Sequence, residues 1–416
     1  MMIARGLLGI AAILALAWCL SENRRAVPLR TVFGGVVLQL ALAALLLRFP
    51  PAARVFLVLD DAVNALQKAT DAGTGFVFGY LSGGPAPFQI VYPASSFILA
   101  FRALPLVLVI GALASLLFYW GILQRVVQGF AWLLRRSMGV GGALGLGAAV
   151  HIFVGMVEAP LLVRPYLARM SRGELFALMT CGMAGIAGTM MVIYATILGP
   201  VIPNALGFIL IASVISTPAA LAVAAVMIPF DAAASEPAQL VTDDPASGVM
   251  DAIVRGTTAG LQLLINVIAM LVVLVALTTL LNLILAALPD WRGAPVTLQR
   301  LLGIIFAPLM WLVGLPWSEA TTAGQLMGTK TVLNELVAYV NLAQLPAGTF
   351  TPRSQLMLTA ALCGFANLGS VGIIIGGVGA MVPERRAEIA SLGLRSLVSG
   401  TAATCMSAAV VGILTR

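Results

Sequence analysis

The amino-acid sequence predicts an all-α integral membrane protein with about eight transmembrane helices and two re-entrant helical hairpins. Hydrophobic residues make up 61% of the 416 and charged residues only 9%, whereas soluble domains average about 25% charged residues. Charge-free windows such as Leu175–Phe230 exceed the roughly 20 apolar residues that a membrane-spanning helix needs. Two acids, Glu158 and Glu335, nevertheless stand inside apolar sequence, where a straight span would leave a costly charge in lipid.

The predicted spans follow one another along the chain, and the loops between them carry most of the arginines. The interruption "GPVIPN" (199–204) divides Leu175–Phe230 into two spans. The other spans are Gly6–Ser21, Thr31–Leu47, Ala103–Gln124, Gly256–Pro289, Ser354–Pro383 and Ser396–Thr415. Residues 52–83 alternate apolar and polar positions with helical spacing, which is typical of an amphipathic helix lying along a membrane surface.

Charge and rare residues argue against several function classes. The net charge is +7, but the positive-inside rule accounts for arginines between apolar runs, so no nucleic-acid partner is expected. The four cysteines lie in apolar runs without metal-ligand spacing and predict neither disulfides nor a zinc site. An enzyme is disfavoured because there is one histidine and no His/Cys/Asp cluster, and no cofactor is expected. A channel is disfavoured because nothing repeats like a selectivity filter.

The two halves of the chain resemble each other. "RGELFALMTCGMAGIAG" (172–188) and "RSQLMLTAALCGFANLGS" (353–370) both begin with arginine, contain Cys-Gly-x-Ala, and follow an embedded acid. Internal repeats with broken helices are typical of secondary transporters, whose sites lie at the repeat interface. The predicted parts are N-terminal scaffold helices at 1–135, a first repeat at 136–230, a polar loop with an interfacial and a scaffold helix at 231–300, and a second repeat at 301–416.

Glu158 lies in "MVEAPLL", next to Pro160, and predicts a helical hairpin that enters the membrane and turns back. Its tip would expose backbone groups, which is tolerated only inside protein or beside a watery cavity, so we expect Glu158 to face a polar site. The alternative is a structural carboxylate that pairs with Arg164 or with a backbone amide.

Glu335 predicts a second hairpin by the same reasoning. The uncharged run 301–318 is expected to turn near Gly314–Gly324, which places Lys330 and Glu335 on the returning arm. The alternative is a Lys330–Glu335 or Glu319–Lys330 pair that only balances charge.

The stretch "CGFANLGSVG" (363–372) interrupts a predicted span with three glycines. Such glycines often serve close helix packing, but Asn367 and Ser370 in the same stretch favour an unwound segment that presents polar groups to a ligand. Two acids and an amide suit a neutral polyhydroxy substrate such as a ribosyl group.

The segments "VGMVEAPLLVRPYL", "GTKTVLNELVAY" and "ALCGFANLGSVGI" closely resemble the signature regions of the concentrative nucleoside transporter family. The resemblance covers essentially the whole chain in order. It implies eight transmembrane helices, interfacial helices and two hairpins at about 138–170 and 302–346. It also implies a homotrimer in which each protomer has a scaffold and a moving transport domain.

The resemblance also implies which residues bind substrate. In the family, an acid of the second hairpin and Asn and Ser of the following unwound helix hold the ribose, with an aromatic residue beside the sugar. The matching residues are Glu335, Asn367, Ser370 and Phe365.

The nucleobase side departs from the family pattern. The family's Gln-Thr-Glu triplet reads Met156-Val157-Glu158 here. The glutamate is retained, and apolar residues replace its two polar neighbours. Since buried polar contacts provide strong discrimination, we expect loose base selectivity or a different ribosyl-like ligand.

The family's sodium site departs as well. Its positions read His151, Val154, Gly185 and Ile186, so an Asn and a Ser side-chain oxygen are replaced by His and Gly. Hard cations prefer oxygen ligands, whereas histidine titrates near neutral pH. H⁺ is therefore favoured over Na⁺ as coupling ion, carried by His151 or Glu158. The alternatives are Na⁺ in a remodelled site and a satisfied core histidine.

The sequence thus predicts a cation-coupled symporter that imports nucleosides or nucleoside-like solutes through a bacterial plasma membrane by elevator-type alternating access. The alternatives are a Na⁺-coupled nucleoside transporter with a remodelled site and a transporter of another ribosyl or sugar-like solute.

Overall fold

A computed structural model of the protein describes residues 2–48, 50–89, 98–231, 246–290 and 293–415. The regular structure of these ranges is helical, which confirms the predicted all-α class. The helices are α1 (Met2–Cys19), α2 (Leu29–Arg48), α3 (Pro50–Phe78), α4 (Leu99–Arg102), α5 (Leu106–Tyr119), α6 (Ile122–Met138), α7 (Gly142–Val150), α8 (Glu158–Leu161), α9 (Arg164–Leu167), α10 (Arg172–Ala184), α11 (Gly188–Leu198), α12 (Ala205–Met227), α13 (Val249–Leu285), α14 (Leu298–Val313), α15 (Trp317–Val332), α16 (Glu335–Gln344), α17 (Pro352–Leu362), α18 (Leu368–Met381) and α19 (Arg386–Leu414).

Within the described ranges, six segments are long and apolar enough to cross a membrane. Three shorter apolar helices, Ile3–Cys19, Leu298–Val313 and Leu368–Met381, lie beside them. The six segments are Leu29–Arg48, Leu99–Tyr119, Arg172–Leu198, Ala205–Met227, Val249–Leu285 and Pro383–Leu414.

The core is built around α12 and α19, which pack on each other and on α2, α10 and α17. Small residues let these backbones approach closely, as in other membrane helix interfaces. Gly35 of α2 lies so near α12 that a Cβ there would be 2.8 Å from the Pro218 carbonyl oxygen. Gly400 of α19 lies against Met183 of α10 in the same way.

Helices α5 and α13 form a separate pair. Gly111 of α5 and Gly256 of α13 face each other at backbone contact distance. One turn further along α13, Gly260 lies against the backbone of Val107 in α5. With 37 residues, α13 is about 55 Å long at 1.5 Å per residue, well beyond the hydrocarbon core. Its outer face is apolar and exposed, with Val272 and Leu283 each about two-thirds accessible.

The N-terminal helices pack against several later helices. Helix α1 packs on α14 and α19, and α2 packs on α12, whereas α5 joins α13. Close approach explains the first of these, since Gly9 of α1 lies directly against the Leu312 carbonyl at the end of α14. Helices α3 and α6 each contact both α2 and α5, so the N-terminal helices are also connected with one another.

The segment at 52–83 is helical, as predicted, and consists of α3 followed by a 3-10 turn at Gly79–Ser82. Thr70 and Thr74 are buried one turn apart, and Phe76 and Val77 are exposed. Its position along a membrane surface remains a prediction. The predicted loop after Asp231 lies mostly outside the described residues, and the short helix expected after it is continuous with α13.

The first hairpin has the predicted form. Helix α7 leads into a turn at 151–157, and the short helices α8 and α9 follow this turn. The second differs from the expected single tip near Gly314–Gly324. The chain turns at Gly314, whose φ of +124° suits glycine, and breaks again before α16. Asn334 caps this second break by accepting the Val337 N–H at 3.0 Å, and Glu335 is the first residue of α16.

Candidate substrate and ion site

Two helices are interrupted in the middle of the protein. The first repeat breaks between α10 and α11 at Gly185–Ala187, and the second breaks between α17 and α18 at Cys363–Asn367. The shared Cys-Gly-x-Ala motif has different roles in the two halves. In the first it is the helical end of α10, and in the second it forms the break itself.

The two breaks cross in direct contact. The Phe365 N–H donates to the Gly185 carbonyl oxygen at 3.1 Å. A Cβ at Gly364 would lie 2.9 Å from the Met183 carbonyl oxygen and 3.0 Å from that of Ala184. The crossing therefore requires a residue without a side chain at Gly364.

Glu335 lies beside this crossing and is only 4% exposed. Its Oε1 accepts the Tyr194 hydroxyl at 2.5 Å, and its Oε2 accepts Asn367 Nδ2 at 3.1 Å. Asn367 Oδ1 in turn accepts the backbone N–H of Ser370 at 2.8 Å and caps α18. The structure thus brings together Glu335, Asn367 and Ser370, three of the predicted substrate residues.

The alternative interpretation of Glu335 as a simple ion-pair partner does not hold. Lys330 is fully buried, and its Nζ donates to the Ala361 carbonyl oxygen at 2.8 Å and to Thr404 Oγ1 at 3.3 Å. Glu319 instead accepts the Thr351 N–H at 3.1 Å. In the described part of the chain, neither Lys330–Glu335 nor Glu319–Lys330 forms a salt bridge.

The first hairpin places His151 in a buried position, 2% exposed, where its Nε2 has no hydrogen-bond partner among the described residues. His151 and Met156 both pack against Gly182 of α10, because a Cβ there would lie 3.2 Å from each side chain. The interpretation of His151 as a satisfied core histidine would require a partner for this nitrogen. Met156 is buried beneath the hairpin turn.

The predicted ion-coupling positions meet at the first break. A Cβ at Gly185 would lie 3.2 Å from the His151 carbonyl oxygen, and the Gly188 N–H donates to the Phe153 carbonyl oxygen at 3.0 Å. Val154 is half-buried in the turn, and Ile186 is fully buried in the break. These contacts place the end of the hairpin turn against the unwound segment.

Glu158 differs from Glu335 because its side chain is exposed. Its carboxylate folds back over the Cα of Gly155, where a Cβ would overlap Oε2. Val157 packs on Gly377 of α18, and Val157 and Phe365 both remain half-buried.

Sequence reasoning missed Tyr194 and Tyr339. Both side chains are fully buried, with ring centroids 5.0 Å apart, and Tyr339 donates its hydroxyl to the Thr359 carbonyl oxygen at 3.0 Å. Tyr194 could have been found as the one tyrosine inside the charge-free run Leu175–Phe230, because a buried tyrosine hydroxyl usually finds a partner.

Comparison with known proteins identifies the family. A family model described as the C-terminus of Na⁺-dependent nucleoside transporters matches residues 208–412, and the corresponding N-terminal model matches residues 8–81. A model described as nucleoside recognition matches residues 100–201.

Full-length relatives are similar along the whole chain. An uncharacterised transporter of Haemophilus influenzae is 38% identical over 99% of this chain and 98% of its own. The nucleoside permease NupC of Helicobacter pylori is 33% identical over 97% and 96%. The chain belongs to the concentrative nucleoside transporter family. The sodium/nucleoside cotransporter 2 of Rattus norvegicus is 32% identical over 98% of this chain and 62% of that protein.

Solved structures of this transporter family show the same fold. CNTnw in an inward-facing substrate-bound state is 35% identical, with a TM-score of 0.89 over 100% of this chain and 98% of that one. A doubly substituted CNTnw in an outward-facing state gives a TM-score of 0.91 at 34% identity. This protein is therefore a multi-pass membrane transporter of the concentrative nucleoside transporter family and not an enzyme.

Proposed function

We propose that this protein imports nucleosides or nucleoside-like solutes together with a cation. The observation that carries the proposal is the buried set of Glu335, Asn367 and Ser370 beside the crossing of two broken helices. The relatives named as nucleoside permease and sodium/nucleoside cotransporter support the same substrate class and cation coupling.

The hydroxyl-binding half of the proposed site is Glu335 with Asn367 and Ser370. A carboxylate offers about four lone-pair sites, and Tyr194 and Asn367 occupy two of them. Glu335 therefore keeps acceptor capacity for sugar hydroxyls, and Phe365 supplies an apolar surface beside them.

The base-binding half of the proposed site is Met156, Val157 and Glu158. Methionine and valine can pack against a flat ring but cannot read its edge by hydrogen bonds. Polar groups that would be left unpaired by a wrong ligand provide discrimination of 10⁴ or more, whereas apolar contacts provide roughly 10–200-fold. We infer that base selectivity is loose, with Glu158 as the polar contact of this half.

The coupling ion in this proposal is H⁺, and His151 or Glu158 binds it. Support comes from the unpartnered Nε2 of His151 and from Gly185, which provides no side-chain oxygen. The second candidate is Na⁺, which backbone carbonyls of the hairpin turn and the first break would hold. The family description as Na⁺-dependent favours this candidate.

The proposed working unit is a homotrimer in a bacterial plasma membrane. The transport domain would carry the site across the membrane by elevator-type alternating access, past a scaffold that includes α5 and α13. The exposed apolar face of α13 supports a role for it against lipid or neighbouring protomers.

Uptake of radiolabelled uridine into proteoliposomes tests the proposal. We expect saturable accumulation that follows an imposed inward proton gradient more strongly than a sodium gradient. Accumulation that requires Na⁺ and ignores the proton gradient would establish the sodium alternative. The variant His151→Asn with Gly185→Ser restores the family's two side-chain oxygens and should increase the response to Na⁺. Absence of uridine accumulation under both gradients would refute nucleoside transport.

Base selectivity is tested separately by Met156→Gln combined with Val157→Thr. Restoring the two polar residues of the family triplet should widen the differences among nucleosides that compete with uridine uptake. An unchanged competition profile would contradict the division of the site into two halves.

A further inference from the structure

Lys330 is the one fully buried lysine in the described part of the chain, and it lies next to the broken helix α17–α18. An ammonium in a membrane interior is costly unless its donors are satisfied. Its two hydrogen-bond partners come from two different helices, Ala361 at the end of α17 and Thr404 in α19. Lys330 itself belongs to α15, so its side chain joins three elements.

The contact with Lys330 gives the Ala361 carbonyl a hydrogen-bond donor at the helix break. In a continuous helix, the N–H of residue i+4 donates to the carbonyl of residue i, so Phe365 would donate to Ala361. At the break, Phe365 donates to the Gly185 carbonyl instead, at 3.1 Å. The Ala361 carbonyl thereby loses its helical donor, and Lys330 Nζ takes that place at 2.8 Å.

Two neighbouring negative groups offset part of the cost of burying a cation at this position. The carbonyl end of a helix carries a partial negative charge, and the carboxylate of Glu335 attracts the Lys330 ammonium. Thr404 completes the arrangement because its hydroxyl accepts from Lys330 and donates to the Thr401 carbonyl oxygen at 3.1 Å.

We propose that Lys330 is a positioning residue that replaces the missing helical donor at Ala361 and so fixes the unwound segment 363–367. Phe365 and Asn367 lie in that segment, and Asn367 contacts Glu335. Lys330 thus sets the geometry of the hydroxyl-binding half without touching the substrate. This role in substrate binding rests on the proposed function.

The test uses Lys330→Met, which keeps the apolar stem and removes the donors. Cys363, the first residue of the break after α17, is buried and free, so its rate of modification by N-ethylmaleimide reports the position of the segment. We expect Lys330→Met to accelerate labelling of Cys363 by about tenfold or more. Loss of a contact worth about 1.4 kcal/mol increases the population of the displaced segment tenfold. Cys181, buried in α10, should stay protected and serves as the control for folding.

Binding of uridine and 3′-deoxyuridine to the purified protein distinguishes positioning from general destabilisation. Lys330→Met should weaken uridine binding about tenfold and 3′-deoxyuridine binding less than about threefold, because the hydroxyl-binding half is displaced. Equal losses for both ligands, or native Cys363 protection, would overturn the proposal.

Thr404 provides a second pair of variants if Lys330→Met does not fold. Thr404→Val keeps the shape and removes the hydroxyl, whereas Thr404→Ser keeps the hydroxyl. We expect faster Cys363 labelling in Thr404→Val and wild-type labelling in Thr404→Ser, and identical rates would contradict the role of the Lys330 contact. The labelling needs no substrate, so a wild-type protein that binds no uridine would refute the proposed function and leave this test intact.

Discussion

The two hairpins meet the two broken helices in different ways. In the second half, side chains make the junction: Asn367 donates to Glu335, and Lys330 donates to the Ala361 carbonyl. In the first half, the junction is a backbone contact from the Gly188 N–H to the Phe153 carbonyl oxygen. The acid of the second half is buried, whereas the acid of the first half, Glu158, is exposed.

This difference supports the proposed division of the site into a hydroxyl-binding half and a base-binding half. Side chains held by packing and hydrogen bonds keep a fixed geometry, and such preorganisation supports specific recognition. The hydroxyl-binding half meets this description, whereas Met156 and Val157 offer only apolar contacts. We therefore expect substitutions in the second half to cost more binding than substitutions in the first half.

The largest effect is expected for Glu335→Gln. The amide keeps the size of the carboxylate, but its NH₂ group must face either Asn367 Nδ2, which is also a donor, or the Tyr194 hydroxyl, which then has to accept instead of donate. In both orientations the group proposed to accept sugar hydroxyls loses its charge and one acceptor oxygen. Unsatisfied buried groups cost about 1–3 kcal/mol and more beside charges, so uridine affinity measured by equilibrium binding should fall about 30-fold or more.

Met156→Gln is the comparison variant for Glu335→Gln, because it restores a polar residue of the family triplet in the first half. Its affinity for uridine should change less than about threefold. Similar losses for Glu335→Gln and Met156→Gln would remove the distinction between the halves.

A smaller effect is expected for Tyr194→Phe, which removes one donor to Glu335. Hydrogen bonds to charged groups contribute about 1.5–3 kcal/mol, and Asn367 still holds the other carboxylate oxygen, so we expect roughly a tenfold loss of uridine affinity. Tyr339→Phe is the matched control, because that hydroxyl donates to the Thr359 backbone and not to Glu335. If Tyr339→Phe weakens uridine binding as much, the Tyr194 contact has no special role.

Much of this comparison was predictable from the sequence. Intramembrane acids, glycine clusters and prolines predicted the spans, the first hairpin and the break at 363–372. The second turn before Glu335 was not predicted, because a single Asn cap has no hydrophobic pattern. Tyr194 was missed as a partner of Glu335, and Ala361 as a partner of Lys330, because these contacts join residues 141 and 31 positions apart along the chain.

The first half is tested by Gly155→Ala. A Cβ at Gly155 would overlap the Glu158 carboxylate, so the alanine must push Glu158 out of its present position. Overlap at a flexible side chain costs less than overlap in a core, where extra methylenes cost about 1–3 kcal/mol, so we expect a two- to fivefold effect on uridine affinity. Gly372→Ala is the control because no atom of the described residues lies within 4 Å of its Cβ position. An unchanged affinity in Gly155→Ala would show that Glu158 does not act in this position.

The smallest effect concerns a surface link between the two repeats. Glu22, in the loop after α1, accepts from Arg172 of α10 at 3.0 Å and from Arg395 of α19 at 2.5 Å. The hydrogen bond from Arg172 holds the pKa of Glu22 below its ordinary value. The contribution of Glu22 to stability is therefore present above its unfolded pKa of about 4.3 and is lost as the pH falls through the lower folded pKa.

Exposed ion pairs contribute at most about 1 kcal/mol and are screened by salt, and these arginine side chains are 38% and 43% exposed. Glu22→Gln should therefore lower the thermal unfolding temperature slightly at pH 7 and leave it unchanged at a pH below the folded pKa or in about 1 M salt. Uridine affinity should not change, because this link lies far along the chain from Glu335 and shares no contact with its partners. If Glu22→Gln instead weakened binding as much as Tyr194→Phe, the two halves would be coupled through the surface and not through the buried Tyr194–Glu335 contact.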